Sequence, residues 1–159
     1  KELDNILDNI NTAGQPKYCT NLRVNSILSY KLSEVPEGVN ITYDVKVPEE
    51  LDVDYSDLGV IIGNLIDNSK HAVSRVLENN MDAYIDIKLI CHVDNIVFII
   101  KNNYINTPEV RNIDYYKNHG RGIGSVRKII KKYDGMYDVK KTEYEYVTSV
   151  SVGVRNMRM

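Results

Sequence analysis

The sequence has no tryptophan, one phenylalanine, two cysteines and four prolines in 159 residues. The two cysteines, Cys19 and Cys91, lack metal-ligand spacing, and both fall in apolar-leaning surroundings. They therefore read as reduced, buried thiols rather than as a disulfide. No apolar run is long enough to cross a bilayer, and nothing resembles a signal peptide. Charge of one sign is not in excess: the net charge is -2 and the pI about 5.9, so there is no footprint for nucleic acid. Internal repeats and low-complexity stretches are absent. Twelve tyrosines are a bias with no evident functional meaning. A start at Lys1 rather than methionine reads as a piece excised from something longer.

What is present suits one domain with a real core: 43% apolar and 26% charged residues over a length that can bury one. Leu3, Ile6, Leu7 and Ile10 recur at helical spacing, so residues 1–16 read as the end of an upstream helix or a linker, broken near Gly14 and Pro16. A helix is expected from about Asn21 to Ser33, ended by Pro36 and Gly38. Val39 to Val47 alternates and reads as a strand, and Leu51 to Val53 as a short one. Ala83 to His92 alternates. Asp94-Asn95 signals a tight turn, and Ile96 to Ile100 reads as a central strand. Lys101 to Gly122 has no periodicity, as in lids and binding loops. Gly124 to Tyr133 reads as a helix. Met136 to Lys141 and Glu145 to Val154 read as a closing hairpin. Tight turns between consecutive strands predict an α/β (α+β) two-layer sandwich: a mixed, mostly antiparallel sheet of about five strands, three helices on one face, and a lid over about 103–121. Residues 17–159 form the domain.

The most informative stretch is Ser56 to Leu77. Ser56 is a plausible N-cap, and Asp57 suits the positive end of a helix. At about 100° per residue, Leu58, Ile61, Ile62, Leu65, Ile66, Ala72, Val73 and Val76 share an apolar side. Gly59, Val60, Gly63, Asp67, Lys70 and Ser74 lie mostly opposite. A polar seam of Asn64, Asn68, His71 and Arg75 runs between the two arcs, where side chains touch both core and solvent. Asn is a middling helix former, since its amide competes for backbone groups. Two of them at i and i+4 are either solvated amides or oxygens aimed at one hard cation. Mg²⁺ fits the second case, because it takes oxygen ligands and completes its shell with water and substrate phosphates.

His119-Gly-Arg-Gly-Ile-Gly124 carries glycine at alternate positions. Such a loop before a helix lets backbone N–H groups approach a phosphate. Lys117, His119 and Arg121 add cationic groups beside it, or a solvated loop face.

Asn64-Leu-Ile-Asp-Asn68-Ser-Lys-His-Ala72 resembles the N-box of the ATPase superfamily shared by gyrase, heat-shock chaperones, sensor histidine kinases and mismatch-repair ATPases, the Bergerat fold. Gly120-Arg-Gly-Ile-Gly124 resembles its second glycine box. The resemblance runs from about Asn21 to Val154 and is nearest to the accessory-gene-regulator, quorum-sensing type of sensor kinase. Asn21-Leu-Arg-Val-Asn25-Ser-Ile-Leu-Ser-Tyr-Lys31 also resembles the opening segment of that group. The resemblance implies ATP and Mg²⁺ as cofactors, with Asn68 as the metal ligand and Asn64 on the phosphate side as catalytic residues. His71 would lie near phosphate. His119, Gly120, Arg121, Gly122, Ile123 and Gly124 would bind the nucleotide. Asn102 stands where the family has an aspartate that accepts a hydrogen bond from the adenine amino group, and the first glycine box is missing after it. An Asn oxygen still accepts that bond, without charge assistance. Ser69 stands where alanine is usual.

The superfamily's hydrolases carry a Glu where this chain has Asn64, which takes no proton. Asp67 points about 60° away on the helical wheel. Slow or absent hydrolysis is expected, and phosphoryl transfer to a histidine is the better reading. None of His71, His92 and His119 suits the role of acceptor. The acceptor is therefore assigned to an upstream dimerisation and phosphoacceptor segment, in a homodimeric, membrane-anchored sensor whose cytoplasmic part this is, with a response regulator downstream. The alternatives are a hydrolytic clamp, an anti-sigma-type serine kinase, and a degenerate domain that no longer binds nucleotide.

Overall fold

A computed structural model describes residues 17–106 and 114–154, residues 114–121 by their backbone only. The expected amphipathic turn at Leu3–Ile10 and the lid residues 107–113 lie outside the described residues. Three helices, α1 (Leu22–Ser33), α2 (Tyr55–Glu78) and α3 (Asp114–Lys132), and five strands, β1 (Val39–Lys46), β2 (Ala83–His92), β3 (Asn95–Asn103), β4 (Met136–Lys141) and β5 (Glu145–Gly153), make up the described part. The sheet order is β1-β2-β3-β5-β4. β1 runs parallel to β2, and the other pairings are antiparallel. This is the two-layer, mostly antiparallel arrangement expected from the sequence.

Alternation sets the core. Ala83, Ile85, Ile87 and Leu89 of β2, Ile96, Phe98 and Ile100 of β3, and Val150 and Val152 of β5 turn to one face and are buried. α2 lies against that face on β2 and β3, flanked by α1 and α3, and α3 touches β4 and β5. Leu58, Ile61, Ile62, Leu65, Ile66, Val73 and Val76 are the buried side of α2, while Ala72 is half-buried. Gly63, placed on the polar side by the wheel, is buried too. The Lys31 stem of α1 covers it, so that a Cβ there would lie 3.1 Å from Lys31 Cε.

Each helix start has a specific cause. Asn21 caps α1, its Oδ1 accepting the Val24 N–H at 3.1 Å. Its Nδ2 donates to the Pro48 carbonyl at 3.1 Å and to the Tyr55 hydroxyl oxygen at 2.9 Å. The same hydroxyl accepts the Leu51 N–H at 3.0 Å. The backbone at Leu51–Val53 is therefore anchored to a side chain and forms no strand, although both residues are buried. The N-cap of α2 is Asp54 rather than Ser56: its carboxylate accepts the N–H groups of Ser56 at 3.0 Å and Asp57 at 3.2 Å, a bond that ionisation strengthens.

The β2–β3 turn is Val93-Asp94, one residue earlier than expected, and Val93 takes a φ of 54°. Where α2 begins and α3 ends, Lys132 Nζ donates to Asp57 at 3.0 Å and the Tyr133 hydroxyl donates to the same oxygen. The Tyr133 bond first, and Lys132 after it, hold the Asp57 carboxyl below its usual range. Cys19 and Cys91 are half-buried free thiols, both pushed up mainly by burial.

The largest difference from expectation is α3. It starts at Asp114, ten residues before the expected Gly124, and so contains the whole glycine motif. No left-handed φ is found at Gly122 or Gly124, so nothing in their backbone opposes helix.

Candidate functional site

α2 carries its polar seam as the periodicity predicted. Asn64, Asn68 and Arg75 are half-buried and His71 is exposed. Asn64 Nδ2 donates to the Val60 carbonyl one turn back at 2.8 Å. That bond turns Asn64 Oδ1 toward α3: a Cβ on Gly122 would lie 2.7 Å from it. Only glycine lets the α3 backbone come this close to the amide. The two motifs, far apart in the chain, thus meet at Asn64 and Gly122. Asn68 follows one turn on, about 6 Å along the axis, and among the described residues no hydrogen bond holds its side chain. Asp67 faces away, its carboxylate 3.1 Å from Lys31 Nζ and 4.0 Å from Lys70 Nζ.

A second cluster closes the other side of this helix. Asn102 continues the inward row Ile96, Phe98, Ile100 at the end of β3 and is 3% exposed. It is a polar group in an apolar row, and it is satisfied: the Ser69 hydroxyl donates to its Oδ1 at 2.9 Å, and its Nδ2 donates to the Asn103 carbonyl at 2.9 Å. Tyr146 of β5 stands directly across from Asn102, and Thr148, buried, is diagonal to it on the same face. Among the described residues, Ser69, Asn102 and Thr148 are three of the four buried polar ones, the fourth being the cap Asn21.

Tyr104 and Tyr146 form an edge-to-face pair, with centroids 6.2 Å apart. Beyond β3 the chain is tied to the β4–β5 turn: Tyr104 N–H donates to the Tyr144 carbonyl at 3.1 Å, and its hydroxyl to the Thr142 carbonyl at 2.6 Å. The departing segment thereby starts from a fixed post beside Asn102.

Of the residues singled out by sequence, Asn64 and Gly122 meet, Asn68 follows Asn64 by one turn of α2, and Asn102 reaches α2 through Ser69. Ile123 and Gly124 are half-buried on α3, and Gly124 has no neighbour within 4 Å of a Cβ position. His119, Gly120 and Arg121 are described only as α3 backbone. The sequence marks Ser69 only as a serine in place of the usual alanine, and does not mark Thr148 or Tyr146. Ser69 is a hydroxyl on the core side of α2, and Thr148 sits in the inward phase of β5, as does Tyr146. That phase was readable; its meeting with Asn102 was not.

The GHKL domain model matches residues 53–153. The chain belongs to the GHKL family. The catalytic domain of histidine kinase ThkA superposes with a TM-score of 0.63 at 12% identity, over 86% of this chain and 94% of that one. The blue-light-activated histidine kinase of Erythrobacter litoralis gives 0.63 at 10% identity, over 85% of this chain and 42% of its own. Acinetobacter baumannii histidine kinase AdeS gives 0.59 at 14% identity, over 84% and 64%. The GHKL chain thus spans under half of the former kinase and under two thirds of the latter. At these identities the likeness is one of fold. No curated protein matches the sequence.

This is a GHKL ATP-binding domain resembling histidine kinase catalytic domains. Among its described residues no helix is long and apolar enough to cross a membrane, and no group of three His, Cys, Asp or Glu could hold a metal.

Proposed function

We propose that this GHKL domain is the ATP-binding catalytic part of a two-component sensor histidine kinase, transferring the γ-phosphoryl of Mg-ATP to a histidine on an upstream dimerisation segment, for onward transfer to a response regulator. The observation that carries it is the contact of Asn64 with Gly122, which brings the asparagine seam and the glycine motif to one place. The donor set suits a magnesium ion that arrives on phosphates. Asn68 offers one hard neutral oxygen, and such an ion needs few protein ligands because water and phosphate fill the rest. The ion would supply charge neutralisation at the phosphates.

The chain's own groups favour transfer over hydrolysis. Asn64 has no basic site, and the Asp67 carboxylate is engaged by Lys31 and Lys70. No carboxylate on this stretch of α2 is thus placed to take a proton from water, and phosphoryl transfer to a protein nucleophile asks mainly for positioning. His71 and Arg75, on the same seam, would face the phosphates. The histidine acceptor, the homodimer and a membrane anchor belong to upstream sequence.

Calorimetry with a non-hydrolysable ATP analogue and Mg²⁺ tests this. The wild-type domain binds, and Asn68→Ala weakens binding by on the order of tenfold or more, the loss of one charge-assisted ligand. No binding to either protein supports instead a degenerate domain, the reading favoured by the absent first glycine box. Labelled ATP alone leaves the isolated domain unlabelled; a stable phosphohistidine on it refutes the assignment of the acceptor to another segment.

A further inference from the structure

β4 is an edge strand: β5 pairs with one side of it, and among the described residues no strand pairs with the other. Just past its end the Thr142 N–H donates to the Glu145 carbonyl at 2.8 Å. Antiparallel partners alternate between hydrogen-bonded and non-bonded pairs. With Lys140 opposite Val147 and Asp138 opposite Ser149, that phase ties Lys140 and Asp138 to β5. It turns the N–H and C=O groups of Val139 and Lys141 outward.

Between this edge and α3 lies an open groove of about 550 Å³, lined by Arg127, Ile130, Lys131, Asp134, Gly135 and Tyr137. Ile130 is buried, while Arg127 and Lys131 are exposed. The Arg127 guanidinium lies over the Tyr137 ring, 5.4 Å from its centroid, which holds a flexible side chain in place. Among the described residues no carboxylate pairs with Arg127, Lys131, Lys140 or Lys141. Asp134 supplies the groove with a carboxylate at its end, where α3 turns into β4.

We propose that this groove docks an extended acidic segment of a partner protein, which adds to the sheet along β4 with carboxylates at alternate positions against Arg127 and Lys131. The spacing names the occupant. Arg127 and Lys131 stand one turn apart on α3, about 6 Å along its axis. Alternate residues of a strand stand about 7 Å apart on one face. A second copy of β4 would set Lys140 and Lys141 against their own kind, the usual defence of an edge against self-pairing. An acidic segment meets no such repulsion. The groove is also clear of the nucleotide site, since Arg127 lies about 140° around α3 from Gly122 and about 8 Å further along.

The test follows the isotope-labelled domain by NMR during titration with a blocked peptide of about seven residues alternating glutamate and valine, and with its lysine–valine counterpart. The acidic peptide binds with millimolar affinity or better and shifts the Arg127, Lys131 and Val139 amides. At five times its Kd it slows exchange of the Val139 and Lys141 N–H groups by about sixfold. The lysine peptide does neither. Arg127→Glu combined with Lys131→Glu weakens the acidic peptide by about tenfold or more and admits the lysine one. Val139→Pro removes an outward N–H where an edge strand tolerates proline, and weakens the acidic peptide by about fivefold.

Acidic-peptide binding without slower exchange at Val139 and Lys141 overturns strand addition. Equal binding of both peptides, or none at several millimolar, overturns the proposal. So does sedimentation with phosphatidylglycerol vesicles by a domain that ignores the acidic peptide, which assigns this face to a membrane. None of these readouts involves nucleotide, so they stand apart from the function proposed above.

Discussion

Substituting alanine for Gly122 separates the tertiary demand on this residue from its helical setting. In the interior of α3 an alanine is about 1 kcal/mol better than glycine. Here the new Cβ would meet Asn64 Oδ1 at 2.7 Å and its Cγ at 3.3 Å. The amide must swing away, losing its 2.8 Å bond to the Val60 carbonyl. That costs about 1 kcal/mol, with about 0.5–1.5 kcal/mol more if the new rotamer is strained. Gly122→Ala should therefore leave stability unchanged or lower it by about 1 kcal/mol. In an Asn64→Ala background the obstacle is gone, and the same change should stabilise by about 1 kcal/mol. Urea unfolding of the four proteins, compared at a common slope, measures the coupling, expected on the order of 1–2 kcal/mol. Gly124→Ala is the internal control, since a Cβ there has nothing within 4 Å. It should stabilise by about 1 kcal/mol in either background. Equal gains from Gly122→Ala with and without Asn64 would refute the contact between the two motifs.

Gly135 is a different case, because its obstacle is backbone: a Cβ would lie 2.5 Å from the Ser151 carbonyl oxygen. Gly135→Ala should cost about 3 kcal/mol or more by thermal or urea unfolding. Asp57→Asn should lower the melting temperature by a few degrees at pH 7. The folded carboxyl lies below its unfolded value, so its contribution is full above about pH 4 and is lost as pH falls through the folded value. Melting curves of wild type and variant should therefore converge in acid. Val93→Asn should raise stability by about 1 kcal/mol in urea unfolding, since Val93 holds a φ of 54° at an exposed turn where asparagine is far better tolerated.

The fold was legible where one segment's own pattern decides its partner. Eight apolar residues at helical spacing put α2 on the core almost to the residue, and the alternation of Ile85, Ile87 and Leu89 set β2. Features that depend on a second segment were not legible. Gly63 is buried because the stem of Lys31 crosses it, and no wheel of α2 contains Lys31. The 51–53 stretch looked extended, but its N–H at Leu51 goes to the Tyr55 hydroxyl. The turn signal Asp94-Asn95 was displaced because strand register, set by Ile96 opposite Cys91, places Val93 in the bend. At the site, Asn64, Asn68 and Gly122 could be proposed from spacing. Ser69 could not, since a serine among apolar neighbours has many uses until Asn102 is seen to face it.

The glycine motif shows how a correct motif can sit in an unexpected conformation. The sequence suggests a loop because glycine recurs at positions 120, 122 and 124 and the apolar period is lost. α3 nonetheless runs through them, where helical bonds to carbonyls four residues back satisfy the N–H groups. Each glycine leaves such a helix about 1 kcal/mol less stable than alanine would, so three of them weaken this stretch by about 3 kcal/mol. On the function proposed above, a triphosphate offers the same N–H groups charge-assisted bonds, roughly twice as strong as neutral ones. A helix weakened by that amount can be exchanged for a phosphate cradle, whereas an alanine-rich one would hold. Gly122 allows the close approach to Asn64 in the helical form, and on that proposal all three glycines would ease unwinding when an anion competes for the backbone.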